Sequence, residues 1–258
     1  MTLPRSRGRR AGRSVARSVT LAALALALAL VAAGCLGGSG NPVATSTAPA
    51  TTSTAGTTTA PAATRTVRVY IVRDGKLVAE GRQVPATPAV GSEALKALLG
   101  SRSFNLTIAN GVATVTGLGT LSHEGQAEIV ATLTQFPAVQ AVEIDGQRLT
   151  RLDIEDVTPQ ILLESPLPGD HVTSPVQLTG TANTFEATFM VEVLDRDGKS
   201  LSRKFVTATS GTGTRGTFAT EIGYETADAQ PGTIYVYESS AEDGRPLHEA
   251  RVPVTLGP

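Results

Sequence analysis

The 258-residue chain has no tryptophan, one cysteine, three histidines and two methionines, and aromatic side chains make up 4% of it. One cysteine excludes an intramolecular disulfide framework, a cysteine-rich zinc site and a CxxC redox centre. His123, His171 and His248 share no metal-ligand spacing. No serine stands in a GxSxG elbow. Charged residues amount to 17%, so few acids and bases are at hand for chemistry. Glycine (26) and proline (15) are plentiful, which favours turns over long helices. The length allows one large or two small folded parts.

The net charge of −1 hides an asymmetry. Residues 1–34 carry six of the 22 basic residues and none of the 23 acidic ones, leaving 16 basic against 23 acidic and a net charge of −7. A surface of that sign repels a phosphate backbone, so no nucleic acid is expected as partner.

The basic stretch to Arg17 is followed by an uncharged run, residues 19–34, ending Ala32-Ala33-Gly34 before Cys35. It falls short of the roughly 20 residues that span a bilayer as a helix. Basic, then apolar, then small residues read as a signal peptide. Small residues directly before the sole cysteine resemble the signal of bacterial lipoproteins. That resemblance implies cleavage before Cys35 and a diacylglycerol on its sulfur, with no other cofactor. The expected location is outside the cytoplasm, held to the membrane by lipid. Residues 35–64 are almost wholly Thr, Ala, Ser, Gly and Pro, without charge. Nothing there buries enough apolar surface to offset ordering entropy, so a disordered linker is expected.

Residues 65–156 read as an α+β unit. Residues 66–72 (TVRVYIV) alternate as a strand, Asp74-Gly75 signals a hairpin, and residues 77–84 supply its partner. Ser92 reads as the cap of a helix stopped by Gly100. Residues 104–109 and 112–116 flank Asn110-Gly111 as a second hairpin. Ser122 caps a helix to about residue 135, and residues 139–144 form a further strand. The expected order is β-β-α-β-β-α-β, with both helices on one sheet. This segment resembles the GerM-type domain of sporulation and spore-germination proteins. The resemblance rests on Val69-Tyr70, residues 94–100, residues 126–137 and residues 139–146 (VQAVEIDG). It implies an interaction or scaffold module without catalytic residues.

Residues 160–258 lack helical periodicity. Strands are expected at 161–164, 176–182, 188–195, 201–209, 216–224, 233–239 and 247–256, an all-β immunoglobulin-like sandwich. Its core must rest on Val, Leu, Ile, Phe and Tyr. The segment resembles the immunoglobulin-like domain that accompanies GerM-type domains in spore-germination proteins. The carrying residues are Ser165-Pro166, Ser174-Pro175-Val176, Gly180, Phe185-Glu186, Gly216-Thr217-Phe218 and residues 238–244.

Three motifs compete for chemistry and none develops. Gly211 to Gly216 spells GxGxxG, but strand-type sequence follows where a dinucleotide site needs a helix. Asp195 to Gly198 and Glu242 to Gly244 fit hairpin turns better than calcium loops. Asp153, Glu155 and Asp156 read as solvated acids on a junction that is either rigid or a hinge. The sequence thus leads to a non-enzymatic envelope lipoprotein without a metal site, binding an envelope protein or cell-wall polymer. An oligomeric scaffold, a regulatory lipoprotein and, less favoured, a wall-active enzyme are the alternatives. The expected contact surface is Phe185, Glu186, Glu238, Glu242 and Asp243. For Phe185, core and surface both fit, the core slightly better.

Overall fold

The computed structural model describes residues 63–258, which belong to one compact unit, Thr58–Pro258. The expected signal peptide (1–34), Cys35 and nearly all of the expected linker lie outside the described residues. Among the described residues no helix is long and apolar enough to cross a membrane.

Strands β1 (Thr64–Arg73) and β2 (Lys76–Pro85) form a ten-pair antiparallel hairpin. It closes at Asp74-Gly75, both at positive φ, the turn type that matches strand twist. Helix α1 (Val90–Leu99) starts before the expected cap: Ala89 occupies the cap position without a side-chain bond, and Ser92 lies inside the helix. Gly91 in its first turn is buried beside Ile108. Strands β3 (Asn105–Ala109) and β4 (Val112–Thr116) pair across Asn110-Gly111. Helix α2 (His123–Leu133) is capped as expected, Ser122 Oγ accepting from the Gly125 N–H at 3.1 Å. Strand β5 (Ala141–Ile144) lies parallel to β4. A strand absent from the expected set, β6 (Gln147–Leu149), pairs with β5 across Asp145-Gly146.

The strands of this part do not form one sheet. The β1-β2 ribbon stands apart from a four-stranded sheet ordered β3-β4-β5-β6. Side chains from α2 and from Gln135, two residues beyond its end, occupy the open edge of β1. Glu128 accepts from the Val72 N–H (2.8 Å), Thr132 Oγ1 accepts from the Tyr70 N–H (3.0 Å), and Gln135 donates to the Arg68 carbonyl (2.8 Å). Residues 68, 70 and 72 turn to one edge because strands alternate, and the donors and acceptors recur at helical spacing. Helix side chains therefore stand where a neighbouring strand would lie. Between the layers sits a core with Tyr70, Leu77, Leu95, Ile129 and Leu133 fully buried.

The second core lies between two further sheets. Their strands are β7 (Ile161–Ser165), β8 (His171–Val172), β9 (Val176–Ala182), β10 (Thr188–Leu194), β11 (Ser200–Thr207), β12 (Gly216–Ile222), β13 (Gln230–Ser239) and β14 (Pro246–Leu256). All seven strands expected from the sequence occur, with ends shifted by up to three residues; β8 is additional. One sheet is ordered β11-β10-β13-β14-β8, the other β12-β9-β7. Phe189 of β10 meets Phe218 of β12 edge-on at 4.8 Å, joining the sheets where antibody domains use a disulfide and tryptophan. Phe218 lies across Gly180, its ladder partner, and a Cβ on Gly180 would overlap the Phe218 ring and the Leu162 carbonyl oxygen. Only glycine fits there.

Residues 150–160 are not a solvated connector. Arg151–Ile154 form a 3-10 turn held by a capping box of Thr150 and Asp153. Leu152 is exposed, but Ile154 is fully buried in the first core. Strand β7 then serves both cores by alternation: Ile161 and Leu163 face the sandwich interior, while Leu162 belongs to the first core.

Candidate binding site

Of the five residues expected to form a contact surface, the structure places Phe185 and Glu186 in the connection between β9 and β10, Glu238 on β13, and Glu242 and Asp243 in the β13–β14 turn. Phe185 is 57% exposed, so the core placement that fits its type slightly better is not adopted. Its N–H donates to Glu238 Oε1 at 2.8 Å, and Glu238 Oε2 lies 3.7 Å from His248 Nε2. Glu186 follows at φ +54°, its N–H donating to Thr212 Oγ1 at 3.0 Å. Glu242 and Asp243 occupy the β13–β14 turn, where the Glu242 N–H donates to Ser240 Oγ at 3.2 Å and Asp243 pairs with Arg245. The Arg245 N–H and guanidinium hold the Asp243 carboxyl below its ordinary range, with Ser240 contributing. Of the four carboxylates, those of Glu238 and Asp243 have protein partners, and among the described residues no three acids converge as calcium ligands must. Leu247, the ladder partner of Glu238, adds a second exposed apolar side chain.

A groove not anticipated from the sequence lies where β2, β7 and β14 meet. Its volume is about 330 Å³, near the lower limit for ligand sites, which favour such boundaries between packed units. The floor is apolar: Ala79 of β2, Leu163 of β7, Val252 and Pro253 of β14, with Pro159 and Pro168 closing it. The rim is charged, with Arg73, Lys76 and Glu80 on one side and Glu249 and Arg251 on the other. Glu80 is engaged by Arg73 and Arg82. Glu249 accepts from the Tyr235 hydroxyl at 2.7 Å, and the Arg251 guanidinium lies 3.8 Å from the Tyr235 ring centre. Burial, and then the Glu249 carboxylate, push the Tyr235 hydroxyl up to about 12. The rim residues were visible only as scattered charges, because strands more than 150 residues apart in sequence supply the two walls.

The groove keeps its shape because the two cores are locked together. Tyr70 donates to Glu164 Oε1 at 2.5 Å, and Arg68 donates to the Glu164 carbonyl at 2.7 Å. Burial, with the Glu164 charge beside it, raises the Tyr70 hydroxyl far above its ordinary value, so it stays a donor. On the other flank Arg215 binds both oxygens of Glu155, at 2.8 and 3.0 Å, and donates to the Pro159 carbonyl at 2.8 Å. Partial burial alone would raise the Glu155 carboxyl; hydrogen bonds from Arg215 and Asn183 outweigh it and hold the carboxyl below its ordinary range. The Leu77 N–H also donates to the Val157 carbonyl at 2.8 Å. These contacts tie both flanks of the junction to the packed cores.

Two sheets around one core, antiparallel except for the parallel β8–β14 pair, put the C-terminal part in the immunoglobulin-like class of sandwiches. Within it, residues 160–245 match the family described as the immunoglobulin-like domain of bacterial spore germination. No curated protein compared with the chain matches it. Among solved structures the chain is similar to CopC from Methylosinus trichosporium OB3b, at 16% identity and a TM-score of 0.27, over 38% of this chain and 94% of that one. It is similar also to the tandem GerMN domains of the sporulation protein GerM from Bacillus subtilis, at 15% identity and a TM-score of 0.28, over 76% of this chain. The match spans 61% of the GerM structure. At these scores neither likeness bears on function.

Proposed function

We propose that the protein is a non-enzymatic cell-envelope lipoprotein, anchored through a diacylglycerol on Cys35, that holds an extended segment of an envelope protein in the groove between β2, β7 and β14. In this reading the chain carries two domains, 65–156 and 160–258, behind a signal peptide and a flexible linker. The anchor rests on the signal-like run before the sole cysteine, and the envelope setting on the family match of residues 160–245. The observation that carries the binding reading is the chemistry of the groove. Its floor offers apolar side chains and no aromatic platform, and its acids are already bound by arginine or tyrosine. A glycan needs hydroxyl partners and a stacking face; an extended peptide needs alternate apolar pockets and a charged rim.

Crosslinking in native membranes tests this reading. A photo-reactive residue at Lys76, on the rim, captures a discrete envelope protein from the lipidated chain. Ala250 of β14 also lines the groove, and Ala250→Arg, which fills it, abolishes the capture. Cys35→Ala moves the protein from the membrane fraction to the soluble one. Salt-resistant pelleting with isolated cell-wall sacculi, unaffected by Ala250→Arg, overturns the groove reading in favour of a wall polymer.

A further inference from the structure

The open edges of the four sheets are protected in different ways, and one is not protected. An open strand edge presents unpaired N–H and C=O groups, and proteins blunt it with charge, proline, shortness or a covering element. The β1 edge is filled by Glu128, Thr132 and Gln135. Strand β2 carries Lys76, Glu80 and Arg82, and β7 carries Glu164. Strand β11 carries Arg203 and Lys204, β12 carries Glu221, and β6 carries Arg148. Strand β8 is only two residues long. Strand β3, Asn105–Ala109, has five residues, no charge and no proline, and among the described residues it pairs only with β4. Four of its residues are exposed, Ile108 by 43%.

The register decides which groups are free. Asn110-Gly111 makes a two-residue turn, so Ala109 and Val112 beside it exchange both hydrogen bonds, and the bonded positions alternate back along the strand. Thr107 and Asn105 therefore also bond toward β4. The N–H and C=O groups of Leu106 and Ile108 point out of the sheet edge, and among the described residues no backbone partner takes them.

We propose that this edge pairs with the same edge of a second copy, antiparallel, about a two-fold axis at Thr107. In that register Leu106 of each copy exchanges both bonds with Ile108 of the other, so four hydrogen bonds form and all four free residues are used. Leu106 and Ile108 lie on one face by strand alternation, so the pairing also sets the two apolar side chains beside each other across the seam. The sheet becomes eight-stranded. A two-fold seam brings each residue near its own copy, so a charge on β3 meets its like; β3 has none. A partner of other sequence imposes no such condition, which is why the uncharged edge points to self-pairing. The contact is short, far below the roughly 1,200–2,000 Å² of stable complexes, so it is weak in dilute solution. This inference is independent of the groove.

Residues 58–258 form a compact unit with both cores and without Cys35, so they serve for the test. Sedimentation at up to roughly 1 mM, where even a weak pairing is populated, shows the mass rising toward twice the monomer. Ile108→Lys weakens association by tenfold or more. Cysteine variants read the register. Thr107→Cys meets its own copy at a non-hydrogen-bonded pair, about 4.5 Å between Cα atoms, within disulfide reach. Ile108→Cys stands roughly 8 Å from its copy and does not reach. Thr107→Cys thus oxidises to a disulfide dimer at least tenfold faster than Ile108→Cys or Thr120→Cys on the exposed loop. A strict monomer, association unchanged by Ile108→Lys, or equal oxidation rates for the three cysteines each overturns the proposal.

Discussion

Glu155 shows how far a single carboxylate's role depends on what the fold brings to it. In sequence it is one of three acids in a short polar stretch. In the structure Arg215, sixty residues on, binds it through two donors, while Asp156 beside it accepts from exposed His123 at 3.0 Å. The pairing sets a pH signature. The folded carboxyl lies below its unfolded value, so its contribution is complete above the ordinary value of 4.5 and is lost as pH falls through the folded value. Glu155→Gln is expected to cost about 1 kcal/mol at pH 7, limited by solvent screening of a side chain that is one-third exposed. Denaturant titrations from pH 7 down to pH 3 should show the gap between the two proteins closing below pH 4.5. A gap that is constant or widens toward acid pH contradicts the assignment. Phe185 carries the same lesson from the apolar side: its type favours burial, and only its seat on a 3-10 turn beside Glu238 keeps it outside.

Local punctuation made most of the elements legible. Asp74-Gly75, Asn110-Gly111, Asp197-Gly198 and Asp243-Gly244 each sit where a strand pair turns, and Ser122 caps the helix it announces. Arrangement was not legible. No local signal separates the β1-β2 ribbon from the other sheet, because the separation depends on three polar side chains that look like the solvent face of α2. Thr132 is the most telling, fully buried and bonded to the Tyr70 N–H. Thr132→Val leaves that N–H without a partner and should cost about 1–3 kcal/mol. Unfolding curves measure the loss, and hydrogen exchange should quicken more at Tyr70 than in the β10–β13 ladder. Equal protection at Tyr70 would show that the helix does not hold the strand. The short strands β6 and β8 went unseen for a simpler reason, since two or three residues are too few to display a period.

At the scale of the molecule, the unexpected property is the coupling of the two cores. The sequence left the junction at 150–160 open between rigid and hinge, and strand periodicity alone cannot reveal that β7 divides its side chains between both interiors. Ile154, Leu162 and Leu167 pack in the first core although two of them belong to the sequence of the second part. Residues 58–258 should therefore unfold in one transition, with amide exchange in α2 and in β13 responding to denaturant at the same midpoint. The isolated segment 160–258 should have a lower midpoint, because Leu162 and Leu167 lose their cover and Glu164 loses Tyr70 and Arg68. Two separated transitions in the intact unit would show that the cores are joined only by proximity.

The entry of the chain into β1 has a mechanical consequence. The chain arrives at Thr64, at the open end of a ten-pair ladder, whereas the groove begins at Arg73 and Lys76, at the opposite end. A partner seated there and a tether pulling from the N-terminal side would draw the strand along its own axis. The ladder to β2, and the three bonds from the α2 side, would then bear the force together instead of opening one after another. Strained in that direction, the molecule resists as a clamp; pulled across the strand, the same bonds would part like a zip.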